Sequence, residues 1–206
     1  MRRRSSDDRP FPCRPGLDRR THPGGSRVLD LGCGDGDLLQ LLQEKGCTGT
    51  GVDLNAGNVL ACLRRGVDVI ELDLDSELGE FSADSYDFVV LSRTLQTVHR
   101  PRNVLAEMGR IAVHSVISMP NFAYWRNRLR LLRGRMPMSK DLPFSWYDTP
   151  NLHHSSLRDL EPLFSSLDMA IDQRIPLDAD GHRHRLGNGA ANWAASSSLY
   201  LLHARR

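Results

Sequence analysis

A short apolar run followed at once by alternating glycines constrains the fold of this chain more than any other stretch. The residues are Val28-Leu29-Asp30-Leu31-Gly32-Cys33-Gly34-Asp35-Gly36. The apolar side chains of residues 28–31 suit a strand that is buried on both faces of a parallel sheet. The glycines suit a tight turn in which the backbone lies close to a ligand. A helical pattern begins at Asp37, and strand, glycine turn and helix together are typical of the start of a nucleotide-binding βαβ unit.

The spacing of the glycines and the position of the next acid indicate the kind of nucleotide. The dinucleotide fingerprint requires a third glycine at the position of Asp37. A second predicted strand, 48–53, ends in Asp53, about 20 residues after the turn, where an acid can accept hydrogen bonds from both ribose hydroxyls. The glycine turn and the spaced acid together resemble the pattern of the class I S-adenosylmethionine (SAM)-dependent methyltransferases. Asp37, in place of the third glycine, argues against an NAD(P)-dependent oxidoreductase. The alternative is a purely structural turn with Asp53 on the surface.

The charge of the chain is distributed unevenly. The formal net charge is +2, although residues 1–20 alone carry seven Arg and three Asp. The rest of the chain is therefore slightly acidic, which does not favour a nucleic-acid-binding domain. Residues 1–24 combine Arg, Pro, Ser and Asp with few apolar positions. They are predicted to form a disordered basic arm, and 25–206 the folded domain.

The composition also bears on membranes, metals and compartment. No stretch approaches the ~20 apolar residues of a membrane helix, and the arginine-rich start lacks the apolar core of a secretory signal. The four cysteines form no C-x-x-C pair and have no His partner at zinc spacing. This pattern favours reduced thiols and argues against a metal site. We therefore expect a cytoplasmic protein.

The remaining pattern alternates strands and helices. Asn55 can cap a helix that ends at Gly66, and Pro101 can begin another. Further strands are predicted at 67–72, 86–92, 111–118, 169–175 and 198–203, the last of them antiparallel. The polar segment 178–198 is predicted to be mobile. Right-handed crossovers then give a Rossmann-like α/β fold, with a mostly parallel sheet and helices on both faces.

The character of the sequence changes at residue 121. Residues 121–135 hold five arginines and no acid. Trp125, Leu129 and Leu132 form one apolar stripe of a short helix, and arginines form an adjacent stripe. We expect segment 121–151 to be a lid or a partner-docking helix packed on the sheet, because two turns with three large apolar residues make a thin membrane anchor.

Short motifs in both halves of the chain resemble the methionine biosynthesis protein MetW family. Besides the glycine turn they are Asn58-Val59-Leu60-Ala61-Cys62, Val90-Leu91-Ser92, Thr94-Leu95-Gln96, Glu107-Met108, Pro120-Asn121-Phe122, Trp125-Arg126, Gly134-Arg135-Met136-Pro137 and Trp146-Tyr147-Asp148-Thr149-Pro150-Asn151. The motifs in the second half of the chain distinguish this family from other methyltransferases, because those share only the motifs of the first half. The resemblance implies a seven-stranded class I methyltransferase-like fold that binds SAM or S-adenosylhomocysteine. It also implies a role beside the homoserine O-acyltransferase MetX. Arg93, where the family often has Gln, and Gly109 depart from the usual pattern.

The resemblance implies a set of residues that would contact the cofactor. Asp30 would fix the turn or bind the amino group of the methionine moiety. Asp53, with Leu54 directly after it, would bind the ribose. The backbone of the turn would approach the methionine moiety at Gly32, Cys33, Gly34 and Gly36.

Two further pairs complete the predicted cofactor site. Asp73 and Leu74 resemble a pair that reads adenine, through a carboxylate and a backbone N–H. A solvated acidic turn is an equal alternative for them. Ser92 and Gln96 fall where the crevice beyond the strand ends should lie, although Gln96 could equally be a cap or a surface residue.

No catalytic residue is predicted. Methyl transfer from a sulfonium requires aligned attack and often little help from a base. The candidates for a base, each more often structural, are His99, Tyr124, Tyr147, His153 and His154. Two functions remain open: a SAM-binding regulatory partner that docks on the acyltransferase through 121–151, and a methyltransferase acting on a small molecule.

Overall fold

A seven-stranded sheet forms the centre of the protein, as described by a computed structural model for residues 25–183 and 187–205. The strands are β1 (Arg27–Leu31), β2 (Thr48–Asp53), β3 (Val69–Glu71), β4 (Tyr86–Ser92), β5 (Ala112–Pro120), β6 (Met169–Leu177) and β7 (Ser197–Ala204). Their order in the sheet is β3-β2-β1-β4-β5-β7-β6. Strands β1 to β5 are mutually parallel, and β7 pairs antiparallel with both β5 and β6. The predicted fold class is confirmed.

Helices cover both faces of the sheet. They are α1 (Asp37–Gln43), α2 (Ala56–Arg64), α3 (Pro101–Ile111), α4 (Trp125–Leu132), α5 (Leu157–Ser165) and α6 (Asn188–Ala194). Apolar residues of α3, α5 and α6 belong to the larger core, and those of α1 and α2 to a smaller core. The Asn55 side chain accepts hydrogen bonds from the first backbone amides of α2, so the predicted cap is present. Pro101 occupies the first turn of α3, also as predicted.

The local register of the sheet brings three strand ends together. Strand β1 lies between β2 and β4, with Leu31 beside Val52 on one side and Leu91 on the other. The loops that follow β1, β2 and β4 therefore meet at one edge of the sheet. In open α/β sheets, ligands bind in the crevice at such an edge. Strand β3 is shorter than predicted and begins at Val69.

The segment 178–198 contains regular structure where mobility was predicted. It includes α6 and the first residues of β7, and Ala191 and Ala195 are buried in the larger core. The buried amide of Asn121 donates to the carbonyls of Asn192 and Ala195, at 3.0 and 2.8 Å, and so satisfies the end of α6. The polar, alanine-rich sequence of α6 does not indicate a packed helix, because the packing depends on Asn121, which is far away in the chain.

Helix α4 forms where it was predicted but presents the opposite face. Two of the three residues of the predicted apolar stripe are exposed, Leu132 at 85% and Leu129, whereas Trp125 is half-buried. The buried residue of the helix is Asn127, whose amide donates to the Asn121 carbonyl at 3.3 Å. The orientation of α4 is therefore set by an asparagine network rather than by apolar burial.

The other sequence predictions fare differently. Cys33 and Cys62 are free thiols as expected, whereas Cys47 is disulfide-bonded. Within the described part of the chain, no helix is long and apolar enough to cross a membrane. The predicted basic arm, residues 1–24, lies outside the described residues.

Candidate functional site

The glycine turn after β1 requires glycine for two different reasons. Gly32, Gly34 and Gly36 all have positive φ, at 73°, 58° and 84°, a region that strains other residues. A Cβ on Gly32 would also lie 2.5 Å from the Thr94 hydroxyl oxygen. Within the part of the chain that the structure describes, a Cβ on Gly34 would meet no atom within 4 Å. The turn is thus tightly packed at Gly32 and open at Gly34, where a ligand can reach the backbone.

Strand β2 holds this turn in place. The Val52 carbonyl accepts the amides of Gly32 and Cys33, at 2.7 and 3.0 Å. The Asp53 carboxylate accepts the amide of Gly34 at 2.9 Å through Oδ2. Three successive groups of the turn are therefore fixed by two residues at the end of β2.

Asp53 lies at the centre of a small hydrogen-bond network. Its Oδ1 accepts the Asn55 amide at 2.8 Å and the Asn58 side-chain amide at 3.1 Å. Among the described residues, Oδ2 accepts the Gly34 amide alone, so one lone pair on this oxygen remains for a hydroxyl donor. Leu54 is exposed, directly beside this carboxylate. The position fits the predicted ribose contact.

Asp30 is a buried carboxylate at the base of the turn. It is 2% exposed, and within the described residues its Oδ1 has no hydrogen-bond partner. Burial, with a smaller effect of the Asp53 charge, raises the pKa of Asp30 to about 7. A buried, unpartnered carboxylate is costly unless a cation binds it. Asp30 therefore suits the amino group of a ligand lying over the turn.

The side chain of Cys33 points into the core rather than the crevice. Its Sγ lies 3.9 Å from Cys62 Sγ, and a Cβ on Gly51 would meet it at 2.6 Å. Cys62 Sγ donates to the Gly34 carbonyl at 3.3 Å. Burial raises the pKa of both thiols, which leaves them protonated and unreactive. Cys33 can contribute only backbone atoms to a ligand site.

The predicted adenine pair forms a self-contained turn after β3. The Asp73 carboxylate accepts the Asp75 amide at 2.9 Å and the Ser76 hydroxyl at 3.0 Å. The Asp73 amide donates to Glu77 at 2.8 Å, and Leu74 packs against the larger core. Both roles considered for Asp73, adenine contact and structural turn, are compatible with this geometry.

Asp75 joins two loops and was not singled out from the sequence. Its carboxylate accepts the backbone amides of His99 and Arg100, at 2.9 and 2.7 Å. It thereby ties the loop after β3 to the segment that precedes α3. The two acids of Asp73-Leu74-Asp75 were the available signal, but the hydrogen bond to His99 spans 24 residues and has no local sequence pattern.

Ser92 is the last residue of β4, and Gln96 lies within the loop that connects β4 to α3. The Ser92 hydroxyl is 3.0 Å from the Ser118 hydroxyl, across the β4–β5 pair. Gln96 is buried, so it is not a surface residue, and its amide donates to the Arg93 carbonyl at 2.6 Å. Within the described residues Gln96 Oε1 has no partner. Gln96 thus offers a second unpartnered acceptor at this edge of the sheet.

Arg93 connects this loop to the excursion formed by residues 136–154. It has a φ of 55°, and its guanidinium contacts Asp141 Oδ1 at 2.6 Å. The side chain of Asp141 is 5% exposed, and its other oxygen accepts the Ser196 hydroxyl. The Gln96 carbonyl also accepts the amides of residues 152 and 153, at 2.8 and 3.1 Å. The excursion is therefore anchored directly beside the crevice.

Replacing Arg93 by methionine should loosen this anchor. Methionine resembles the apolar part of the arginine side chain, and it is strained by the positive φ to the same extent as arginine. It leaves the buried Asp141 carboxylate without a cation. We expect the free energy of unfolding to fall by about 1–3 kcal/mol, and trypsin to cleave faster between Arg126 and Lys140. Denaturant unfolding and timed proteolysis measure both effects. The double change with Asp141→Asn should recover part of the loss, and unchanged unfolding and proteolysis in the single variant would contradict the anchoring role.

The five candidate bases occupy very different environments. Tyr124 is buried and packs edge-on against Trp125, whereas Tyr147 is exposed. His99 and His153 are exposed. His154 stacks on Phe122 at 4.5 Å and lines a cavity of about 70 Å³ under the excursion. His154 is itself exposed, at the edge of this cavity.

One group of potential metal ligands occurs away from the crevice. Asp178, Asp180 and His182 lie close together in an exposed loop. The Asp178 carboxylate accepts the amides of residues 180 and 182, at 2.9 and 2.8 Å, and Asp180 pairs with Lys140. These contacts within the loop account for the proximity of the three side chains without a metal ion.

Comparisons with known proteins agree with this architecture. A model of the methionine biosynthesis protein MetW family matches residues 19–202. The chain is 35% identical over 192 residues to the bifunctional methionine biosynthesis protein MetXA/MetW of Rhodopirellula baltica. The match covers 88% of this chain but 31% of that protein, so the chain spans less than a third of this relative.

Solved structures establish the fold. An S-adenosylmethionine-dependent methyltransferase from Mesorhizobium loti has a TM-score of 0.64 at 20% identity, over 87% of this chain and 91% of that one. Magnesium protoporphyrin IX methyltransferase from Synechocystis, solved with S-adenosylhomocysteine, has a TM-score of 0.63 at 15% identity, over 88% and 75%. The chain therefore belongs to the MetW family of methionine biosynthesis proteins and has a class I methyltransferase fold.

Proposed function

We propose that this protein binds SAM at the crevice beside β1, β2 and β4 and supports a homoserine O-acyltransferase in methionine biosynthesis. The observation that carries the cofactor assignment is the arrangement of Asp30, Gly34 and Asp53. Within the described residues, Asp30 near the end of β1 is a buried carboxylate whose Oδ1 has no hydrogen-bond partner, and Gly34 is an open stretch of the turn that follows. Asp53, at the end of β2, holds the Gly34 amide and lies beside them.

These groups match the chemical parts of SAM. Asp30 would hold the amino group of the methionine moiety, and Asp53 Oδ2 would accept a ribose hydroxyl. The backbone at Gly34 would lie against the ligand, and the unpartnered Gln96 Oε1 offers a further acceptor. When bound, SAM supplies an electrophilic methyl group on a sulfonium.

The acyltransferase partnership is supported by the architecture of a relative. The Rhodopirellula baltica protein carries the names MetXA and MetW on one chain. A fused pair places two activities at high effective concentration. We propose the same association for this protein. We expect SAM, the end product of the pathway implied by the MetW resemblance, to modulate it.

Asp53→Ala should abolish most SAM binding. A hydrogen bond to a charged acceptor contributes about 1.5–3 kcal/mol, so we expect the Kd to rise by roughly 100-fold. Isothermal titration calorimetry measures this directly. Asp68→Ala is the matched control, because Asp68 is an exposed acid near the start of β3. SAM affinity that survives the Asp53 change would refute the cofactor assignment.

The partnership is tested by assaying the cognate acyltransferase with and without this protein across a SAM titration. We expect stimulation whose extent depends on SAM. Absence of both association and stimulation would refute the proposed partnership.

A second function, methyl transfer to a small molecule, is favoured by the cavity under the excursion. It is lined by Phe122, Leu142, Phe144, Trp146 and His154, among others. His154 could accept a proton there from an acceptor group. Multiple turnovers with labelled SAM and candidate acceptors would establish this function and displace a purely regulatory role.

A further inference from the structure

Helix α4 exposes the side chains that a surface helix normally buries. Leu129, Leu131 and Leu132 are exposed, whereas Asn127 is 1% exposed. An amphipathic helix at the surface of a domain usually turns its apolar residues to the core. Contiguous exposed apolar side chains mark interaction sites. The outward face of α4 is therefore built for contact with another molecule.

The exposed apolar area continues into the excursion. Met136, four residues after the end of the helix, is exposed, and it lines the same cavity as Phe144 and Trp146. Trp146 is 72% exposed, and Tyr147 beside it is exposed as well. Together these side chains form the α4 surface: Leu129, Arg130, Leu132, Arg133, Met136 and Trp146.

The charges on and around this surface are not neutralised. Residues 121–140 contain no acid. Within the described part of the chain, no carboxylate forms an ion pair with Arg126, Arg130, Arg133 or Arg135. Arginines elsewhere in the domain do have such partners: Arg65, Arg110 and Arg174 contact acids on the same chain. An acidic partner surface would supply the missing charges.

The residue types favour a protein partner over a lipid surface. Arg, Met, Trp and Tyr are enriched in protein interfaces, and Trp, Tyr and Arg dominate their binding energy. Helix α4 has eight residues and exposes three leucines, so the apolar area that it could bury in a membrane interface is small. Arginine can also form paired hydrogen bonds with carboxylates, a geometry that suits a protein acid.

We propose that the α4 surface docks onto the homoserine O-acyltransferase, at an apolar groove of that enzyme whose rim carries carboxylates. Leu132 and Trp146 insert into the groove, and Arg130 and Arg133 pair with the rim. The identity of the partner rests on the function proposed above, whereas the location and chemistry of the contact rest on α4 itself. The same excursion is anchored by Arg93 and Gln96, so the docking surface adjoins the crevice.

The test measures binding of the full-length protein to its purified cognate acyltransferase. Leu132→Asp is expected to weaken binding at least 100-fold, and Arg130→Glu/Arg133→Glu at least tenfold at low salt. The loss from the double charge change should shrink at high salt, because screening weakens ion pairs. Leu63→Asp and Arg64→Glu, on the exposed side of α2, are the matched controls and should bind like the wild type. Thermal unfolding of each variant confirms that the fold is intact.

Each pattern of results has one meaning. Equal binding by the wild type and both α4 variants would overturn the docking assignment and leave the proposed partnership standing. No binding by the wild type would overturn the partnership and the docking assignment together. Binding of the wild type to vesicles of phosphatidylglycerol and phosphatidylcholine, lost in Leu132→Asp, without acyltransferase binding would assign the surface to a membrane instead.

Discussion

Gly32→Ala is expected to lower the free energy of unfolding by about 2–5 kcal/mol. The left-handed conformation of Gly32 costs other residues about 1–2 kcal/mol, and a Cβ 2.5 Å from the Thr94 hydroxyl oxygen forces a packed loop to move. Such overpacking adds about 1–3 kcal/mol. Urea unfolding followed by circular dichroism measures the change.

Gly34→Ala provides the matched contrast. The φ of Gly34 is similarly left-handed, but a Cβ there would meet no atom of residues 25–183 and 187–205 within 4 Å. The stability loss should therefore be only about 1–2 kcal/mol, whereas SAM binding should fall steeply, because the new methyl group occupies the space where the ligand meets the backbone. Equal stability losses at Gly32 and Gly34, or unchanged SAM binding by Gly34→Ala, would contradict this division of roles.

Asp30→Asn is expected to stabilise the protein above pH 7 while weakening SAM binding. The pKa of Asp30 is raised from 3.8 to about 7 in the folded state. Between these values the native protein binds more protons than the unfolded chain, so stability falls as pH rises from about 4 to 7. Asparagine does not titrate, so the variant lacks this pH dependence of stability. At pH 8 the free energy of unfolding of the variant should therefore exceed that of the wild type by a few kcal/mol. At pH 4 the two should differ little.

The same carboxyl group makes SAM binding depend on pH. A cationic amino group binds the ionised form of Asp30, so the wild-type affinity should rise as pH increases from 6 to 7 and then level off. Binding at pH 6 should release close to one proton, measured by calorimetry in buffers with different ionisation enthalpies. Asp30→Asn is the control and should bind weakly without proton release. A wild-type affinity that does not change with pH would show that Asp30 does not bind the amino group of SAM.

The sequence predicted the parts of the fold that depend on short-range patterns. The bounds of β2 and β4, the cap at Asn55 and the start of α3 at Pro101 all match, because apolar runs and capping residues act locally. The glycine turn and Asp53 meet as expected, since parallel strands end at one edge. The predicted ligand roles of these residues stay predictions until binding is measured.

The features missed from the sequence depend on contacts between distant residues. The Arg93–Asp141 pair joins positions 48 apart, and the Ser196 contact to Asp141 spans 55. The Asn121 bond that completes α6 spans 74 residues. The apolar stripe of α4 was recognised, but its direction was not, because periodicity cannot tell a core from a partner as the covering surface.

The position of β7 determines when the domain can finish folding. This strand lies between β5 and β6, although it follows both in the chain. During synthesis the edge of β5 therefore stays unpaired until residue 204 has left the ribosome. An open strand edge invites pairing with other chains, so the nascent protein passes through a stage that needs protection from aggregation.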